Sequence, residues 1–118
     1  MGELNSTKPR LTPQEVPQFS QYAVRSLNAM ALQSGTTVQD LIERFQKEPV
    51  TREAMRSRLE KIDDPEMLDM VMRQLRREVM TTLIVRDLTA HADFHEVVST
   101  VTALAEETVS AAVRVHSR

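Results

Sequence analysis

The scarcity of glycine limits what this chain can fold into more than any other feature of its sequence. Only two of its 118 residues are glycine, and one of them is Gly2. Glycine supplies the positive φ angles that tight β-hairpins, β-bulges and phosphate-cradling loops need. The sequence therefore excludes a Walker loop and a dinucleotide-binding fingerprint.

The spacing of the apolar residues decides the fold class. Apolar positions recur at helical intervals in two long stretches, and no stretch alternates with a period of two for long. The pattern predicts an all-α protein. The first stretch contains Leu68, Val71, Met72, Leu75, Val79 and Leu83, and the second contains Phe94, Val97, Val98, Val101, Leu104, Ala105, Thr108 and Ala112.

Helix start and stop signals divide the chain into about five helices. Asp64 before Pro65 is the strongest start signal, a capping side chain followed by proline at the first helical position. Asp93 and Glu96 have the spacing of a capping box. The predicted helices run from about residue 18 to 33, from 37 to about 47, from 51 over "REAMRSRLEKI", from 65 through 73–88, and from 93 to about 116.

These signals also set the predicted domain organisation. Residues 17–118 are expected to form one small helical bundle in which the two long helices are antiparallel. Residues 1–16 are polar and contain Pro9 and Pro13, so we expect a disordered head there. A length of 118 residues allows one modest core.

Composition excludes several classes of protein. The chain has no cysteine, which rules out disulfides and thiolate metal sites and favours an intracellular protein. No apolar run approaches the ~18 residues of a membrane span, and no signal peptide is evident, so we expect a cytoplasmic protein. A net charge of -2 gives no general electrostatic reason to bind nucleic acid.

The long helix that contains "RQLRREVMTTLIVRDL" changes character halfway. Its first half has one apolar stripe, and Arg86 projects into the middle of that stripe. A second stripe, formed by Met80, Ile84 and Leu88, begins on the line of Arg73 and Arg77. We therefore predict two buried sides for the second half. An arginine inside a buried stripe is expected to be paired, for example with Glu106, or else to contact a phosphate or a partner.

The stretch 72–113 resembles the helical segment that precedes the nucleotidyltransferase domain in bifunctional glutamine synthetase adenylyltransferase and adenylyl-removing enzymes. "FSQYAVRSL" at residues 19–27 is similar to a short motif at the N-terminal, adenylyl-removing half of that family, although a similar helical pair also precedes the second half. At Gln74, Thr81 and Thr82 the sequence departs from the helical motif of that family. The matching residues are Leu75, Arg76, Arg77, Met80, Ile84, Arg86, Asp87, Leu88, Leu104, Ala105 and Glu106.

The resemblance implies the activity of a larger enzyme. Such an enzyme transfers AMP from ATP to a tyrosine of glutamine synthetase and removes it by phosphorolysis, with magnesium as cofactor and a nitrogen-signalling regulatory protein as partner. The family places its chemistry in a G-G-x-E-L-N-x-x-S-D-x-D motif, which this sequence lacks. We therefore expect a fragment with no catalytic, cofactor or metal residues of its own.

The candidate functional residues are accordingly contacts to a partner or to another domain. If the second stripe of the long helix faces water, its apolar side chains favour self-association of the chain. Arginines at the edge of this stripe then form a polar rim. The residues assigned to this role are Arg73, Arg77, Met80, Ile84, Arg86 and Leu88.

Other readings of the sequence remain open. His91, Asp93 and His95 have residue types that suit zinc, although Asp93 is better employed as a helix cap. In "TREAMRSRLEK", Arg56 and Glu60 are spaced as an i, i+4 ion pair on a solvated face. The chain is alternatively a free-standing helical adaptor, or a helix-turn-helix DNA binder using residues 32–45, whose second helix lacks the basic charge that phosphate contacts require.

Overall fold

The computed structural model describes residues 20–117, which form five α-helices. They are α1 Gln21–Ser34, α2 Val38–Lys47, α3 Arg52–Leu59, α4 Pro65–Leu88 and α5 Phe94–His116. The predicted all-α fold with two long helices is confirmed. The proposed disordered head, residues 1–16, lies outside the described residues.

Every helix begins at a side chain that accepts a backbone N–H three residues later. The acceptors are Ser20, Thr37, Thr51, Asp64 and Asp93. Such a cap satisfies one of the N–H groups that a helix start leaves unpaired, and its loss typically costs about 1 kcal/mol. Helix α1 begins later than the predicted residue 18 because its cap is Ser20. It ends at Gly35, whose φ of 67° is a conformation that glycine adopts without strain.

Helix α4 lies between two apolar clusters. The first cluster joins α4 to α3 and α5, and the second joins α4 to α1 and α2. The first contains Met55, Leu59, Leu68, Leu75, Val79, Leu83, Ala103, Leu104, Ala111 and Val115. The second contains Ala23, Leu27, Ala31, Leu41, Ile42, Phe45 and Val85. The predicted change from one buried side to two therefore reflects a helix that is covered on both sides over its second half.

The second buried side of α4 is centred differently from the predicted stripe. Val85 is fully buried, and Thr81 and Thr89 occupy the same face four residues to either side, both with no exposed surface. Ile84 and Leu88 pack at the edge of this second cluster, whereas Met80 packs against the first. The sequence pattern did not show this face because Thr81 and Thr89 are polar residues.

A tight turn reverses the chain between the two long helices. The backbone N–H groups of His91 and Ala92 donate to the carbonyl of Arg86, and Ala90 has a φ of 62°. A groove between α4 and α5 is lined by Met80, Ile84 and Asp87 on one side and by Phe94, Val97 and Val101 on the other. Because this tight turn joins the two long helices and both pack in the first cluster, α4 and α5 run antiparallel, as predicted.

Candidate functional site

Arg86 is the most heavily bonded side chain in the described part of the molecule. It is 7% exposed, and its Nε and Nη2 atoms donate to the two carboxylate oxygens of Glu96 at 2.7 and 2.9 Å. Nη2 also donates to the carbonyl of His91 at 3.0 Å. Nη1 donates to the carbonyl of Gln46 and, at 3.4 Å, to that of Phe45. These bonds occupy all five guanidinium N–H groups, so this arginine is directed at the protein and not at an external phosphate.

The predicted partner of Arg86 was wrong. Glu106 instead accepts from Arg52 of α3 at 2.6 Å, and Glu96, in the first turn of α5, pairs with Arg86. The predicted capping box is present in one direction: Asp93 accepts the N–H of Glu96 at 2.8 Å. The carboxylate of Glu96 is directed to the guanidinium because a buried cation needs a charged partner.

Both short helices end against an arginine from a long helix. Arg86 of α4 meets the carbonyls at the end of α2, as described above. Arg114 of α5 donates to the carbonyls of Leu59 and Ile62 at 2.8 and 3.0 Å, at the end of α3. The last carbonyls of a helix have no intrahelical partner and carry partial negative charge, which a guanidinium satisfies. These two contacts fix the short helices against the long ones.

A second ionic cluster joins α3 to α5 around Glu107. Arg56 donates to both carboxylate oxygens of Glu107 at 3.1 and 2.9 Å, and Arg52 donates at 3.0 Å. The hydrogen bonds from Arg56 and then from Arg52 lower the pKa of Glu107 to about 2. In return, the bonds to Glu106 and Glu107 raise the pKa of Arg52. The close partner of Arg56 is the largely buried Glu107 and not the predicted Glu60, which adds only a weaker coulombic attraction.

The cluster around Glu107 predicts a loss of stability in acid. Because the pKa of Glu107 is lower in the folded protein than its ordinary value of 4.5, its contribution is complete above pH 4.5 and is lost as the pH falls from 4.5 toward 2. Urea unfolding at several pH values in this window should show that the free energy of unfolding falls more steeply with decreasing pH in the wild type than in Glu107→Gln. Equal slopes for the two proteins would contradict the prediction. Glu106 is present in both proteins, so the difference between their slopes reports the titration of Glu107 alone.

The residues proposed as partner contacts lie in different environments. Arg73 is exposed, whereas Arg77, Met80, Ile84 and Leu88 are half-buried. Arg77 lies beside α1, where it lines a groove with Tyr22 and Arg25. The residues therefore do not form one open surface. The larger exposed apolar side chains of this end of the molecule belong to α5, where Phe94 is 83% exposed.

An apolar groove between α4 and α5 lies beside this stripe. Its volume is about 400 Å³. It is lined by Met80, Ile84 and Asp87 of α4 and by Phe94, Val97 and Val101 of α5. An apolar groove with one carboxylate at its rim suits an aliphatic side chain of a partner better than an anion.

Histidines and acidic residues do not converge on a metal site within residues 20–117. Asp93 caps α5, and the Nδ1 atom of His91 lies 2.9 Å from the hydroxyl of Thr89. No group of three or more His, Asp or Glu side chains in this part of the chain is placed to hold a metal ion.

The helix-turn-helix reading rests on α1 and α2, which do pack against each other. Helix α2 buries Leu41, Ile42 and Phe45. Its other side chains mix acidic and basic residues: Asp40 and Glu43 with Arg44 and Lys47.

Across residues 20–117, no helix has both the length and the apolar character that crossing a membrane demands.

Comparison with known proteins decides the family. Residues 15–118 match the family described as glutamate-ammonia ligase adenylyltransferase. The chain belongs to this adenylyltransferase family. A curated member from Nitrosomonas eutropha, the bifunctional glutamine synthetase adenylyltransferase/adenylyl-removing enzyme, is 39% identical over 97 residues. The match covers 77% of this chain and 10% of that adenylyltransferase. The resemblance seen in the sequence is thereby confirmed. No solved structure matches the chain.

Proposed function

We propose that this helical unit serves the adenylylation and deadenylylation of glutamine synthetase as a rigid support, and that it performs no nucleotide chemistry itself. Membership in the adenylyltransferase family carries the first half of the proposal. The proposed lack of nucleotide chemistry rests on the sequence, which does not contain the G-G-x-E-L-N-x-x-S-D-x-D motif. ATP and magnesium would then bind where that motif lies, and a nitrogen-signalling protein would regulate the whole enzyme in the cytoplasm.

The support role follows from how the helices are joined. Arg86 connects α2, α4, the turn after α4 and α5 through five hydrogen bonds. Arg114 and the pair Arg52 and Arg56 connect α3 to α5. A unit held at this many points keeps the relative positions of its surfaces, which a docking platform requires.

Exposed arginines of α4 are the candidate contacts to glutamine synthetase. Arg73 and Arg76 both face water beside Asp69, in the first half of the helix. Guanidinium groups at the rim of an interface pair with carboxylates on the partner and mainly affect the association rate and salt dependence. This surface lies apart from the buried Arg86 junction, so its residues can be changed without disturbing the fold.

Two measurements test the proposal. Incubation of the chain with ATP, magnesium and glutamine synthetase should leave the synthetase at its unmodified mass, and adenylylation above a no-protein control would contradict the absence of chemistry.

Binding to glutamine synthetase should be measurable by calorimetry and should weaken roughly tenfold in Arg73→Glu. The matched control, Lys61→Glu, makes the same charge change at another exposed position and should bind like the wild type. Equal binding by both variants would exclude this surface.

The second candidate function is a free-standing helical adaptor. The exposed apolar side chains of α5 favour it, because contiguous apolar surface marks interaction sites. An adaptor would bind a partner other than glutamine synthetase, so the calorimetric measurement separates the two candidates.

A further inference from the structure

A polar groove, here named the arginine groove, lies between α1 and α4. Its volume is about 510 Å³, within the range of roughly 300–1,000 Å³ that is common for small-molecule sites. Helix α4 contributes Arg77, and the first turns of α1 contribute Gln21, Tyr22, Arg25, Ser26 and Ala29. None of these lining residues is acidic.

Arg77 is a half-buried cation without a partner. Within residues 20–117, four arginines are buried or half-buried, and three of them donate to carboxylates or carbonyls: Arg52, Arg86 and Arg114. Arg77 makes no hydrogen bond or ion pair in the described structure. Because a cation that is partly removed from water is ordinarily paired, the position of its partner is open to an anion from outside the chain.

The two arginines of the groove also have no counter-ion along their own helices. The residues three and four positions away include no carboxylate: Arg73, Gln74, Met80 and Thr81 around Arg77, and Gln21, Tyr22, Asn28 and Ala29 around Arg25. Glu78, which follows Arg77 in the sequence, pairs with Arg58. The groove therefore has a positive potential in a chain whose net charge is -2.

Ser26 adds a polar group that lacks a partner to the same groove. It is 6% exposed, and its hydroxyl makes no hydrogen bond with the described residues. The buried hydroxyls of Thr89 and Thr108, by contrast, donate to carbonyls four residues earlier. The hydroxyl of Thr82 also has no partner, but it is enclosed, whereas Ser26 lines the groove. An anion with several oxygens in the groove would satisfy both Ser26 and Arg77.

The size and the lining of the groove define the ligand. Guanidinium groups bind phosphate oxygens through charge-assisted hydrogen bonds. The groove is much larger than a phosphate ion, so the ligand carries an organic group as well. Tyr22 is 47% exposed, and its ring gives an aromatic base a surface on which to stack. We propose that the arginine groove binds a phosphate ester of the nucleoside monophosphate class, with the phosphate held by Arg25 and Arg77.

Binding in this groove does not require magnesium. Proteins usually hold magnesium on a nucleotide through one or two carboxylates, and the lining residues supply none. The arginine groove is thus distinct from the site for ATP and magnesium that the proposed function assigns to the G-G-x-E-L-N-x-x-S-D-x-D motif. Failure of either proposal leaves the other standing.

Calorimetry with AMP in the presence of EDTA tests the site. The wild type should bind AMP with a dissociation constant of roughly 0.1–1 mM, because the groove is open and offers two charged contacts. Ribose 5-phosphate, which lacks the base, should bind more weakly, and adenosine, which lacks the phosphate, should not bind. No binding of AMP up to about 10 mM, or equal affinities for adenosine and AMP, would overturn the proposal.

Arg77→Met and Lys61→Met form a matched pair of variants. Each removes one positive charge, but Lys61 is exposed and does not line the groove. Arg77→Met should weaken AMP binding at least about tenfold, and Lys61→Met should bind AMP like the wild type. Because Arg77 has no partner to lose, Arg77→Met should unfold at the same urea concentration as the wild type or at a higher one. Equal affinities of the two variants for AMP would contradict the site.

Two further measurements identify the ligand. Tyr22→Leu should weaken the binding of AMP roughly fivefold or more and leave that of ribose 5-phosphate unchanged, because only AMP has a base to stack. Hexaglutamate, a model for an acidic segment of a protein partner, should bind more weakly than AMP. Tighter binding of hexaglutamate than of AMP would assign the groove to an acidic peptide and overturn the phosphate ester.

Discussion

Replacing Arg86 with methionine is expected to lower the free energy of unfolding by about 3–5 kcal/mol. Methionine fills much of the same volume, so the loss comes from the hydrogen bonds and the charge. The change leaves Glu96 without its cation, and its side chain is only 25% exposed. It also leaves the carbonyls of Gln46 and His91 without their donor. Urea denaturation of the two proteins at neutral pH measures the difference.

Two further variants show what the arginine contributes. Arg86→Lys keeps the charge but lacks the planar fork, so it should recover part of the loss and no more. The double change Arg86→Met with Glu96→Gln removes the unpaired carboxylate and should be more stable than Arg86→Met alone. A loss below about 1 kcal/mol for Arg86→Met would place the junction in the class of surface ion pairs and contradict its structural role.

Replacing Thr82 with valine is expected to raise the free energy of unfolding by about 1–2 kcal/mol. Thr82 is 1% exposed, and within the described structure its hydroxyl has no hydrogen-bond partner. A buried hydroxyl without a partner loses its bonds to water and gains none in return. Valine has nearly the same shape and a similar helix propensity, so the change isolates the hydroxyl.

Thr108 provides the matched control for this change. It is also buried in a long helix, but its hydroxyl donates to the carbonyl of Leu104 at 2.8 Å. Thr108→Val should therefore be neutral or destabilising. If both valine variants changed stability equally, the hydrogen-bonding state of the hydroxyl could not be the cause.

The helices could be predicted from the sequence because their signals are local. Thr37, Asp64 and Asp93 are short polar side chains placed directly before apolar periodic stretches, and each caps the helix that it was expected to start. Burial of one side of α4 could be predicted in the same way. These signals depend on residues within one or two helical turns of each other.

The contacts between helices could not be predicted, because they depend on which turns face each other. Glu96 has the spacing of a capping-box residue, and nothing local indicates that its carboxylate turns toward Arg86. Glu107 meets Arg52 and Arg56 across 55 and 51 residues. The centre of the second buried side of α4 was misplaced for a different reason: Thr81 and Thr89 are polar residues on a buried face. The sequence pattern also did not show that apolar side chains of α5 such as Phe94 and Val109 are exposed, because periodicity does not distinguish a covered side from an open one.

The bonds of Arg86 also imply an order of folding. Glu96 is 10 residues away along the chain, whereas Phe45 is 41 residues away. Closing the longer loop costs about 1.2 kcal/mol more in chain entropy, so the turn between α4 and α5 is expected to form first and to present an oriented guanidinium. Helix α2 then docks its last carbonyls onto a donor that is already in place. Changes at Glu96 should consequently slow refolding, while changes at Phe45 should mainly accelerate unfolding, and stopped-flow kinetics in urea would distinguish the two.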